Sequence, residues 1–91
     1  MRESKIEAYL VKRVKELGGE VRKVQWIGRR GAPDRLVMLP SDWSNPAMWV
    51  ELKATGVKAE AYQLREHERM RKMGQFVRVI DSIEGVDRLL P

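Results

Sequence analysis

The sequence predicts a small α/β (α+β) domain in which a central mixed β-sheet is flanked by helices. Two long segments carry apolar residues at helical spacing, shorter apolar runs have the character of strands, and glycine- or proline-rich turns separate them. The 91 residues suffice for one hydrophobic core. The predicted order is α-β-β-β-α-β-α within one domain, residues 1–91. The helix between the third and fourth strands indicates a crossover connection.

The first helix is predicted over residues 4–17 and ends at the pair Gly18-Gly19. Ser4 followed by Glu7 fits a capping box, in which each side chain satisfies a backbone N–H at the start of a helix. The apolar residues at helical spacing are Ile6, Leu10, Val14 and Leu17. These features predict one amphipathic helix with an apolar stripe facing the sheet.

Three short strands are predicted between the two long helices. The apolar residues of the first are Val21, Val24 and Trp26. Residues 27–33 contain two glycines, two arginines and a proline, which is typical of a loop. The next two strands, residues 35–39 and 48–54, form a β-hairpin because the segment between them, 40–46, is dense in turn formers.

A second helix is predicted over residues 59–73 and ends at Gly74. Its apolar positions include Tyr62, Met70 and Met73. Residues 76–80 alternate between apolar and polar side chains as a strand does, and Asp81 or Ser82 caps a last short helix. The apolar residues of that helix are Ile83, Val86, Leu89 and Leu90.

The composition favours a polyanionic partner. Eighteen lysines and arginines against 13 aspartates and glutamates give a net charge of +5, which favours nucleic acid first and an anionic membrane surface second. No apolar run is long enough to span a bilayer. The absence of cysteine excludes disulfides and zinc–thiolate sites, and we expect an intracellular setting.

The candidate chemistry lies in the third strand. Side chains alternate along a strand, so Glu51 and Lys53 share one face. If the second and third strands pair as a hairpin, the carboxylate of Asp34 approaches that of Glu51. Two carboxylates beside a lysine could hold Mg²⁺ or Mn²⁺ for phosphodiester hydrolysis. The residues alone leave a second interpretation open, in which the two strand charges are solvated and Asp34 is a turn residue.

A resemblance favours the first interpretation. Pro33-Asp34, a spacer and then Glu51-Leu52-Lys53 resemble the motif of the PD-(D/E)XK nuclease superfamily, whose fold is that of restriction endonucleases. More narrowly, the chain resembles the VRR-NUC family over residues 4–90. The further residues that match this family are Gly28, Gly31, Gln63, His67 and Gly74.

The resemblance implies a metal-dependent DNA nuclease. Carried over residue by residue, it makes Asp34 and Glu51 metal ligands together with the backbone carbonyl of Leu52, and makes Lys53 the catalytic lysine. Glu7 matches the acidic residue of the first helix and would support the metal through a water, although a capping role is the alternative. Stand-alone family members are often virus-encoded, and some cleave branched DNA as homodimers.

Several other side chains are assigned more broadly. The family match makes Gln63 a catalytic-site residue in contact with the lysine or the phosphate, whereas a structural role is favoured for His67. The predicted DNA contacts are Arg29, Arg30 and Arg35. Trp43 could anchor a dimer interface or stack on a base, and Trp49 could wall the site.

We therefore predict a metal-dependent endodeoxyribonuclease, selective for branched or four-way junction DNA in replication or repair and acting as a homodimer. Three alternatives remain open: a non-catalytic basic DNA-binding module on the same fold, a nuclease of other specificity (restriction-type or single-strand), and a purely structural interaction domain. The presence of both acids and the lysine favours catalysis, because carboxylates that face phosphate are of no use to a simple binding protein.

Overall fold

A four-stranded mixed β-sheet forms the centre of the protein. The computed structural model describes residues 1–91. Its elements in chain order are α1 (Glu3–Glu16), β1 (Glu20–Lys23), β2 (Arg35–Met38), β3 (Ala47–Leu52), α2 (Ala61–Lys72), β4 (Val77–Ile80) and α3 (Ile83–Leu89). The sheet order is β1-β2-β3-β4. The predicted fold class and element order are confirmed. No helix is long and apolar enough to cross a membrane.

The strand pairing follows the predicted hairpin and crossover. β1 pairs antiparallel with β2, β2 pairs antiparallel with β3, and β3 pairs parallel with β4 after the chain returns through α2. In the hairpin, Arg35 lies opposite Val50. One step further along the same register, Asp34 lies opposite Glu51. The turn before β1 requires Gly19, because a Cβ at this position would lie 2.2 Å from the backbone oxygen of Met38.

The helices cover opposite faces of the sheet. The apolar stripe of α1 and the inner side of α3 bury one face around Val37 and Val50. The stripe comprises Ile6, Leu10 and Val14, all fully buried. Because strand side chains alternate, Glu51 projects to the opposite face, where α2 supplies Met70 and His67. β3 is therefore a central strand that carries a carboxylate between the sheet and α2.

Local sequence signals were wrong in three places. α1 begins at Glu3 after Arg2 and has no side-chain cap, so the capping box at Ser4 is not formed. β1 ends at Lys23, since Val24 donates only to the Asp34 carbonyl at its start and Trp26 lies outside the strand. Met73, predicted to be an apolar helix position, lies beyond the end of α2 and is 67% exposed.

The cap of the last helix is confirmed. Ser82 precedes α3, and its hydroxyl oxygen accepts a hydrogen bond from the Gly85 backbone N–H at 2.9 Å. A serine in this position satisfies one of the donors that a helix start leaves unpaired. The predicted limits of the other elements differ from those of the structure by one or two residues.

Candidate active site

The site is built around two carboxylates at the end of the β2–β3 hairpin. Glu51 is 7% exposed and lies on the central strand, whereas Asp34 is exposed at the entrance to β2. The backbone of Asp34 is held by a 2.9 Å hydrogen bond from the Val24 N–H to its carbonyl. The antiparallel register places the two acids opposite each other. The structure thus brings together the two residues that the motif predicted.

The electrostatics of Glu51 are unfavourable without a cation. Burial, together with the negative charge of Asp34, raises the pKa of Glu51 from 4.5 to about 7. The ammonium group of Lys53 opposes this rise but does not cancel it. A carboxyl group that is costly to ionise, beside a second acid, is an arrangement that functional sites frequently contain.

The segment after Glu51 contributes two further groups. The backbone N–H of Lys53 donates to the Ile80 carbonyl at 2.9 Å, so the extended conformation continues past the end of β3. Lys53 therefore stays on the same face as Glu51. The side chain of Leu52 is buried in the core, so its backbone carbonyl is the only group that it can offer to the site.

A buried arginine links the site to α1. Arg35 donates through Nε to the carboxylate of Glu7, and its Nη1 lies 2.9 Å from Oδ2 of Asp34. Burial opposes the charge of Arg35, but the hydrogen bond with Glu7 and the charge of Asp34 leave its pKa raised. The guanidinium group faces two carboxylates inside the protein, so its geometry supports a positioning role and not the predicted contact with DNA.

The same contact places Glu7. Its carboxylate is bound to Arg35 and not to a backbone donor of α1, so the capping interpretation of Glu7 is wrong. Glu7 reaches the Asp34 side of the site through Arg35. This arrangement relates the first-helix acid to the candidate metal carboxylates, as the resemblance implies, but through a side chain that the motif did not assign to this role.

His67 lies behind Glu51. It is fully buried, and its Nε2 is 3.7 Å from Oε1 of Glu51, too far for a hydrogen bond. Neither ring nitrogen has a hydrogen-bond partner. Burial and the positive charge of Arg71 lower the pKa of His67, so the ring is neutral and the pair is not a salt bridge. This burial supports the structural role predicted for His67.

Gln63 has a structural contact of its own. Its side-chain oxygen accepts a hydrogen bond from the Glu60 backbone N–H at 2.8 Å, at the start of α2. The contact anchors the first turn of the helix, because it satisfies a donor that the helix leaves unpaired. The structure shows no contact between Gln63 and Lys53, so the catalytic assignment of Gln63 stays a prediction.

The loop at residues 27–33 is fixed to α2. Arg29 donates to the buried carboxylate of Glu66 at 2.9 Å, and the guanidinium group of Arg30 lies 3.9 Å from the centre of the Tyr62 ring. Gly31 has a φ of +87°, and a Cβ there would lie 3.0 Å from the Tyr62 backbone oxygen. The two arginines are therefore preorganised beside Asp34, although each already has a protein partner.

Glu66 supports the site from α2, a role that the sequence motifs do not assign to it. It has the appearance of a surface charge among arginines, yet it is 3% exposed and binds both Arg29 and Arg69. Those hydrogen bonds, that from Arg29 first, lower the pKa of Glu66. Its spacing of four residues from Met70 places it on the buried side of α2, and this spacing was the available signal.

The donor set fits a hard divalent cation. Asp34, Glu51 and the Leu52 carbonyl would offer only oxygen ligands, which Mg²⁺ and Mn²⁺ prefer. The raised pKa of Glu51 is the independent indication, because a cation between the two acids would relieve both its burial and its repulsion. No group of three or more histidine, cysteine, aspartate or glutamate side chains is clustered for metal binding. A metal here would keep ligands from water or substrate.

Comparisons with known proteins agree with this geometry. No protein-family model matches the chain. A protein of Acyrthosiphon pisum secondary endosymbiont phage 1, named "Putative nuclease p44", is 45% identical over 91 residues, which are 100% of this chain and 94% of that protein. A solved structure described as "VRR_NUC domain" superposes with a TM-score of 0.82 at 42% identity and covers 98% of this chain and 95% of its own. With these similarities over its whole length, the chain belongs to the VRR-NUC family of nucleases.

Proposed function

We propose that the protein is a divalent-metal-dependent endonuclease that hydrolyses phosphodiester bonds in DNA. The observation that carries this proposal is the opposition of Asp34 and Glu51 across the hairpin, with Lys53 on the same face. The family relationship supports nuclease activity, and the net charge of +5 supports a polyanionic substrate.

Each group at the site has a distinct role in this proposal. Asp34, Glu51 and the Leu52 carbonyl would hold Mg²⁺ or Mn²⁺, which when bound would polarise the phosphoryl group and acidify water. Lys53 orients the attacking water and stabilises negative charge that develops on the phosphoryl oxygens. Arg35 fixes the orientation of Asp34, and Glu7 in turn fixes Arg35.

The loop arginines suit the backbone of DNA. Arg29 is half exposed while it binds Glu66, and Arg30 lies on the Tyr62 ring with its donors free to turn outwards. Guanidinium groups held in place bind phosphate at a lower entropic cost than mobile ones. We assign the phosphate contacts to these two residues and assign Arg35 to the interior of the site.

We further propose branched or four-way junction DNA as the preferred substrate and a homodimer as the active form. One chain of this size has one pair of acids and therefore one cleavage site. A two-fold dimer would present two equivalent sites, which matches the pseudo-symmetry of a four-way junction. Trp43 is half-buried beside Arg88 and Pro91 near the end of the chain, and its ring is available for the interface.

The test separates chemistry from binding. Asp34→Asn and Lys53→Met each keep the shape of the side chain but remove a reactive charge, so cleavage of a four-way junction with Mg²⁺ or Mn²⁺ should fall at least a hundredfold. Glu84→Gln changes an exposed acid on α3 and should leave cleavage unchanged. Binding should persist in both site variants. If either variant cuts at the wild-type rate, the assignment of that residue is wrong; a wild-type protein that binds but never cuts is a non-catalytic binding module.

A further inference from the structure

An apolar cavity lies beside the proposed active site. It has a volume of about 480 Å³ and lies between the loop at residues 27–29 and the end of α2. The rings of Trp26 and Trp49 form its floor, with centroids 5.0 Å apart and planes inclined at 50°. Ile27 is 97% exposed at the rim, and Met73 faces it from across the cavity. Two large exposed apolar side chains on one cavity suggest a ligand with an apolar surface.

The two indoles are held in place before any ligand arrives. Trp26 donates through Nε1 to the Pro33 carbonyl at 2.8 Å. Trp49 donates through Nε1 to the Gln75 side-chain oxygen at 3.1 Å. With both N–H groups satisfied by the protein, the rings offer their apolar faces to the cavity, and a ligand that stacks on them displaces no hydrogen bond.

The charges around the cavity suit an anionic chain. Its one acidic residue, Glu66, is buried and neutralised by Arg29 and Arg69, while the Arg29 side chain is 46% exposed at the rim. The wall therefore presents apolar rings and a guanidinium group with no uncompensated negative charge. A planar aromatic base attached to a phosphate backbone matches both features.

The cavity is continuous with the catalytic face. Trp49 and Glu51 lie two residues apart on the same face of β3, roughly 7 Å along the strand. Adjacent bases in a duplex are separated by roughly 3.4 Å along the helix axis. A base in the cavity would therefore belong to a nucleotide within about two steps of a phosphate at Glu51. A stacked base pair cannot enter, because a partner strand covers it, so the base must be unpaired.

We infer that this cavity, formed by Trp26, Ile27, Trp49 and Met73, binds an unpaired nucleobase next to the scissile phosphate. The inference rests on the proposed function, since it takes DNA to be the substrate. It deepens that function by naming what is recognised: DNA in which one base near the cleaved bond has no pairing partner. Such bases occur where strands are displaced or exchange partners, and recognition of them selects branched over regular duplex DNA without reading sequence.

The experiment measures binding of a short duplex with one bulged 2-aminopurine, in EDTA. The protein carries Glu51→Gln to remove charge repulsion and Trp43→Phe, so that only the two cavity indoles fluoresce. The control DNAs have the same 2-aminopurine paired with thymine, or a bulged abasic site. The bulged base should bind about tenfold tighter than the abasic bulge. Its emission should be quenched by stacking on tryptophan, together with a change in indole emission.

Exposed variants test the walls without risk to the fold. The double variant Ile27→Ser, Met73→Ser should reduce the preference for the bulged base to about twofold, and Val57→Ser, a matched exposed apolar residue in a distant turn, should leave it intact. Equal affinity for the base and the abasic bulge overturns the inference. A double variant that keeps the preference but turns a dimer into a monomer also overturns it, because a second copy then covers the cavity.

The outcome is separable from that of the proposed function. A protein that prefers the bulged base but cuts no DNA keeps the cavity assignment and loses the nuclease proposal. A protein that cuts paired and branched DNA alike, without affinity for the bulged base, keeps the nuclease proposal and loses the cavity assignment.

Discussion

Replacement of Glu51 by glutamine should stabilise the metal-free protein, even though it abolishes activity. Glu51 is buried on the central strand opposite Asp34, and its pKa is raised from 4.5 to about 7. In the unfolded chain the carboxyl ionises freely, whereas in the folded protein ionisation works against burial and repulsion. Glutamine has the same shape and no charge, so Glu51→Gln removes this cost.

The size of the effect follows from the pKa. Because the folded pKa is raised, stability is fully present below about pH 4.5 and is lost as the pH rises through about 7. Each unit of pKa difference is worth about 1.4 kcal/mol, so wild type should be less stable than Glu51→Gln by up to about 3 kcal/mol at about pH 8. At about pH 4 the two free energies of unfolding should nearly coincide.

The assay is urea unfolding of both proteins in EDTA between about pH 4 and pH 8, with Glu84→Gln as the control for loss of an exposed charge. Addition of Mg²⁺ or Mn²⁺ at about pH 8 should then stabilise wild type and leave Glu51→Gln unchanged, since only the wild-type site binds the ion. A difference between the two proteins that does not grow with pH would refute the reasoning. So would equal stabilisation of both by the metal.

Three further predictions concern the surroundings of the site. Arg35→Met leaves Glu7 and Asp34 without their shared partner, so it should destabilise the protein by about 1–3 kcal/mol and slow cleavage, with unchanged DNA binding; weaker binding at the same stability would contradict the positioning role. Replacing Arg29 and Arg30 with alanine should reduce the log–log salt dependence of DNA binding by about one unit for each phosphate that the variant no longer neutralises, and an unchanged slope would return both to loop-fixing roles. Light scattering should show a dimer, and strand mapping should show paired nicks at symmetric positions in a four-way junction; a monomer that nicks linear and branched DNA equally would remove the junction preference.

The hairpin that carries the site was predictable because its signals are local. Turn formers at residues 40–46 fix the pairing of two apolar runs, and antiparallel register then places Asp34 opposite Glu51 without further information. Side-chain alternation likewise places Glu51 and Lys53 on one face. These inferences need only the period of the strand and the length of the loop.

The network around the site was not predictable from such signals. Arg35 and Glu66 are charged residues with buried side chains, and each is buried only because a distant partner compensates it. Local sequence places charges at the surface, so both were assigned to solvent or to DNA. The failed capping box has the same origin, since Glu7 takes Arg35, 28 residues away, as its partner in place of its own helix start.

The most direct test of the account is cleavage of a labelled four-way junction by wild-type protein in EDTA, in Mg²⁺ and in Mn²⁺, with a linear duplex of the same sequence beside it. The account predicts no product in EDTA, product with either metal, and faster cleavage of the junction than of the duplex. Asp34→Asn in the same assay should give no product, which identifies the protein itself as the source of activity. Undiminished cleavage by wild type in excess EDTA would contradict the central claim that two carboxylates opposed across a hairpin hold the ion for phosphodiester hydrolysis.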